Sequence, residues 1–134
     1  MRTLILASCL FLAACSGGKD VARAEQNIER FHAQLNAGNL EMIHNQTGSE
    51  WKGATTKPDA IKLFSAVRTK LGPFKSGKQN GWHVNYGTGG KMILVQYQSE
   101  FERGTAVETF TFKESGEKIQ MVGYNINSPT LITG

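Results

Sequence analysis

The chain is poor in several things that would each have pointed to a class. It has only two cysteines in 134 residues, Cys9 and Cys15, so a disulfide-framework fold is excluded. Its three prolines stand far apart, which rules out a polyproline segment or a stiff proline-rich linker. Charged residues make up 19%, too few for a disordered polyelectrolyte or a long coiled coil. No basic run accompanies the net charge of +4, and nucleic acid is therefore not an expected partner. The three histidines, His32, His44 and His83, show no metal-binding spacing, and no cysteine pair joins them; neither a metal nor another cofactor is expected. No serine sits in a nucleophile elbow, and no glycine loop of the phosphate-cradling kind follows a strand. Glycine is not scarce: fifteen residues without a three-residue period promise many turns in one domain.

What is present begins with an address. Arg2 and the apolar run Leu4–Leu12 have the order of a signal peptide, and the run falls short of the ~20 residues that span a bilayer. Leu12-Ala13-Ala14-Cys15 resembles the lipobox of bacterial lipoproteins. The resemblance implies cleavage after Ala14, acylation of the Cys15 thiol and anchoring through acyl chains, since one chain alone binds a membrane only marginally. Cleavage would discard Cys9 and leave no disulfide. It would also remove Arg2 and lower the net charge to +3. The residue after Cys15 is Ser16 rather than Asp, which in that family favours the outer membrane, with the domain facing the periplasm. The expected organisation is thus a signal peptide over 1–14, a lipidated tether over 15–20 and one domain over 21–134. Ser16–Lys19, rich in glycine, would reach only ~13 Å even fully extended.

Within the domain the hydrophobic period changes once. Val21, Ala24, Ile28, Phe31 and Leu35 recur at gaps of three and four, which predicts a helix over Asp20–Ala37 ending at Gly38. A short second helix is predicted over Leu40–His44, followed by an irregular stretch in which Gly48 and Gly53 bracket Trp51. Thr56 and Asp59 form a capping box with Pro58 in the first turn, so a third helix should carry Ile61, Phe64, Val67 and Leu71 inward until Gly72-Pro73 stops it. From Trp82 the pattern alternates. Strands are predicted over 82–86, 92–101, 105–113 and 117–127, joined by glycine-bearing turns, with a bulge where the parity switches near Gly123. The expected class is α+β: three N-terminal helices packed on a curved four-stranded antiparallel meander.

Four segments carry a wider likeness: Leu35–Asn39 (LNAGN), Leu71–Ser76 (LGPFKS), Val107–Phe112 (VETFTF) and the Gly123–Ser128 step. In this order of elements, from about Ala22 to Leu131, the chain resembles the cystatin-like, nuclear transport factor two-like superfamily, closest to its uncharacterised bacterial envelope domains. The resemblance implies a cone with a pocket between sheet and helices. Enzymes of that superfamily use a pocket Asp or Glu with a His or Tyr for proton transfer. Strand parity sets Glu108 beside Phe110 and Phe112, where a carboxyl would be partly desolvated, and Tyr97 and Tyr124 would share the concavity. Glu108, Tyr97 and Tyr124 are therefore the candidate pocket, and Cys15 is the lipidation site. With no catalytic constellation evident, the expected function is a membrane-anchored, non-enzymatic binding or assembly module that takes an envelope protein partner or a small apolar ligand. The competing expectation is a small-molecule enzyme of ketosteroid-isomerase-like type with Glu108 as base.

Overall fold

A computed structural model describes residues 16–133, with side chains from Gly18 onward. The segment predicted as a signal peptide and Cys15 lie outside the described residues. Helix α1 (Ser16–Ala37) buries the whole stripe Val21, Ala24, Ile28, Phe31 and Leu35. It starts at Ser16, so residues 16–20 of the predicted tether are helical, and Asp20 is already buried and paired with Lys91 at 3.0 Å. Gly38 ends the helix at φ 79°, and the N–H of Asn39 bonds back to the Gln34 carbonyl at 2.9 Å.

Helix α2 (Leu40–Asn45) buries Leu40, Ile43 and His44. The stretch around Trp51, expected to be irregular, is a helix, α3 (Ser49–Ala54). Its anchor is tertiary rather than periodic. Trp51 is buried and its Nε1 donates to His44 Nδ1 at 3.2 Å, while the Gly48 N–H donates to the Met121 carbonyl at 2.9 Å. Helix α4 (Lys57–Leu71) is capped as its sequence predicts, with the Asp59 N–H donating to Thr56 Oγ1 at 3.3 Å. Phe64, Val67 and Leu71 face inward; Ala60 is fully buried, whereas Ile61 is half-buried.

Gly72 ends α4 with φ 76° and ψ −169°, a conformation essentially reserved for glycine. A Cβ there would also lie 3.1 Å from Arg103 Nη1 and 3.2 Å from Glu102 Cβ. Gly72→Ala is therefore expected to destabilise the domain by about 1–3 kcal/mol. Urea unfolding checks this, and an unchanged midpoint would contradict the strain.

The four strands, β1 (Phe74–Gly87), β2 (Gly90–Phe101), β3 (Gly104–Ser115) and β4 (Lys118–Asn127), pair antiparallel in chain order. The sheet is an open meander. β1 begins eight residues before the alternation at Trp82, because register shifts at Phe74/Ser76 and Gln79/Gly81 break its parity. β4 carries the predicted bulge: Gly123 pairs with Thr111 and Met121 with Phe112, leaving Val122 between them. After the sheet comes α5 (Pro129–Thr133), with Leu131 packed on the core. The α+β class with a four-stranded antiparallel sheet is as expected, but among the described residues five helices replace the predicted three, four before the sheet and one after it. The two extra ones are five or six residues long, below the length at which a hydrophobic period can be read.

All the main helices cover one face of the sheet. On that face Ile93, Val95, Phe101, Ala106, Phe110 and Phe112 are buried with the inward residues of α1 and α4 in a single cluster. The opposite face carries polar or partly exposed residues such as Gln96, Thr109, Thr111 and Asn125. Among the described residues no helix is long and apolar enough to cross a membrane.

Candidate functional site

The helix-facing side of β3 has one charged residue in the middle of its apolar row. Glu108 pairs in register with Tyr97 on β2 and Ile126 on β4, and its exposure is 0%. Burying a carboxylate is costly unless hydrogen bonds replace its water. Here they do. Ser99 Oγ donates to Oε1 at 2.6 Å, Tyr124 donates its hydroxyl to Oε2 at 2.5 Å, and His32 Nε2 lies 2.8 Å from Oε1.

These contacts set the direction of the histidine's bond. Two hydroxyls donate to the carboxylate, which acts as an acceptor, so Nε2 of His32 carries a hydrogen and donates as well. Nδ1 is then the other ring nitrogen, and it makes no hydrogen bond among the described residues. The ring is held by packing. It stacks on Phe74 with centroids 3.5 Å apart and planes 3° from parallel, and Phe31 and Phe110 meet it edge-on at 5.4 and 5.8 Å. Tyr124 is enclosed by Phe31, Phe64 and Phe110. Burial first, and then the adjacent Glu108 charge, push the Tyr124 hydroxyl well above the usual tyrosine range, so it stays a donor.

Beside this network a groove of about 380 Å³ opens between α1 and β1. Its polar walls are Glu25, Glu29, His32 and Tyr97; Phe74, Ile28 and Gly77 complete its apolar part. The size is within the range of small-molecule sites, ~300–1,000 Å³. Gly77 keeps the groove open: a Cβ there would come within 3.0 Å of both the Phe74 and Tyr97 rings. On the other flank of α1, a space of about 30 Å³ near Phe31 and Met121 has room for little more than water.

The three predicted pocket residues are thus divided. Glu108 and Tyr124 are bonded to each other within the core. Tyr97 is a neighbour of Glu108 in register but lines the groove, and no bond joins the two among the described residues. The predicted lipidation site, Cys15, lies outside the described residues.

Sequence reasoning missed His32 and Ser99. A signal for both existed: His32 follows Phe31 and stands four residues after Ile28, on the edge of the buried stripe, and Ser99 falls on the inward parity of β2. Polar residues on faces that must be buried need partners, and Glu108 supplies one to each. The remaining histidines stand apart. His44 accepts from Trp51 within the core, and His83 is exposed. Among the described residues no three potential metal ligands come together.

No protein-family model matches the chain, and a search of curated proteins finds no match.

Proposed function

We propose that the chain is a membrane-anchored lipoprotein of the bacterial envelope whose domain, a cystatin-like cone, is a non-enzymatic binding module with the α1–β1 groove as its site. The observation that carries this reading is the contrast between a carboxylate with every oxygen occupied and an open groove beside it. The network makes the groove wall rigid, and rigid walls lower the entropic cost of binding. A protein-observed NMR screen of small apolar fragments against the full chain tests the site. Binders should perturb the amides of Gly77 and Tyr97, while shifts confined to other surfaces would count against it.

The anchor has its own test. In a bacterial host the wild-type chain is expected to incorporate labelled palmitate and to sediment with outer membranes. Cys15→Ser should lose both properties. Label retained by that variant would remove the lipoprotein reading. An acylated Cys15 would hold the domain close to the lipid on the periplasmic side, because α1 starts at the very next residue.

One observation favours a second reading, a proton-transfer enzyme with Glu108 as base: the carboxylate is fully buried beside Tyr124. A substrate reaching it would have to displace His32, Ser99 or Tyr124, each within 2.8 Å of the carboxylate. Binding is therefore the better-supported function.

A further inference from the structure

The groove has a charge preference written into its walls. Glu25 and Glu29 are one turn apart on α1, both line it, and neither forms an ion pair among the described residues. Among the described residues no lysine or arginine lines it, although the whole chain has more basic than acidic residues. Burial first, then the charge and hydrogen-bonding of Glu25 and the charge of Glu29, push the Tyr97 hydroxyl up to about 12, which places both carboxylates within electrostatic reach of the groove's aromatic wall. Two further walls, Phe74 and Tyr97, present aromatic faces, which attract cations through their ring quadrupoles.

His32, only 4% exposed, also lines the groove, and its Nδ1 makes no hydrogen bond among the described residues.

We infer that the groove binds a small organic cation, a primary or secondary ammonium attached to an apolar body, with Glu25 and Glu29 taking the charge and Phe74 and Tyr97 holding the apolar part. This inference rests on the reading of the groove as a ligand site. The geometry favours an amine over a neutral apolar molecule because two unpaired carboxylates beside a neutral ligand would gain nothing from binding. It disfavours an anion outright, by like-charge repulsion.

Three probes of similar shape separate the possibilities: 2-phenylethylammonium, 2-phenylethanol and phenylacetate. Each is titrated into the full chain in neutral detergent near pH 7 and followed by the amide shifts of Gly77 and Tyr97. The ammonium is expected to bind at least about tenfold more tightly than the alcohol, and phenylacetate more weakly than both. The double variant Glu25→Gln/Glu29→Gln, at partly exposed positions that contribute nothing to the core, should erase that difference while the alcohol still binds. Equal binding of ammonium and alcohol to the wild type would overturn the cation preference and leave the groove as an apolar site. Failure of all three probes to shift Gly77 or Tyr97 would overturn both the inference and the site beneath it. The comparison among probes needs only the wild-type chain, so it holds even if the double variant folds poorly.

Discussion

Glu108→Ala is expected to destabilise the domain by about 3–5 kcal/mol, the cost of breaking a buried, charge-assisted network by removing its central member. The substitution leaves the hydroxyls of Ser99 and Tyr124 and the Nε2 of His32 without an acceptor inside the core. Each orphaned donor costs about 1–3 kcal/mol unless water enters. Glu108→Gln should cost less. Its amide retains one acceptor oxygen, and the Tyr124 hydroxyl can turn to accept from the amide nitrogen. The order wild type, Gln, Ala in urea midpoints is the expected result. If Glu108→Ala unfolds at the wild-type midpoint, the network is not structural, and the buried carboxylate would need a functional explanation such as proton transfer.

Phe110→Ala is the second large effect, about 3–5 kcal/mol from lost transfer energy and the cavity left behind. Phe110 has no exposed surface and joins the two halves of the core. Its ring lies 5.3 Å from Phe31 on α1 and 5.2 Å from Tyr124 on β4, with His32 at 5.8 Å. The cavity would therefore open beside the Glu108 network as well as beneath α1. A loss of that size is a large share of the ~5–15 kcal/mol that stabilises a typical domain. Leu94→Ala is the control. Leu94 is 38% exposed on the outer face of β2, and its truncation should stay within about 0.5 kcal/mol. Equal effects at the two positions would contradict the assignment of the helix-facing side as the core.

Much of the core is legible in the hydrophobic pattern of the chain. The five stripe residues of α1 are all buried, and so are Ile93, Val95, Ser99 and Phe101, although Tyr97 in the same row is half-buried because it lines the groove. Glu108 falls on the inward face as its parity predicts. What escapes the pattern is set by breaks in period or by distance. The first half of β1 hides its strand character behind two register shifts, and α3 is held by Trp51, His44 and the Gly48–Met121 bond rather than by a stripe. Its glycines read as loop because local preference points that way, yet contacts with α2 and β4 override it.

The site shows the same division most clearly. Periodicity along a segment reports which side of it faces the core, because each side chain's direction follows from local backbone geometry. It carries no information about which residue of another segment will be met there. His32 and Glu108 are 76 positions apart, and no local pattern joins them. Pattern and composition are enough to specify one α+β domain, its inward faces and a carboxylate that has to be buried. It takes the packing of α1 on the sheet to bring a histidine to that carboxylate, and the crossing of Phe74, Gly77 and Tyr97 to leave a groove beside them. Backbone period is a local property of the chain, whereas a buried charge acquires its partners only when distant segments pack.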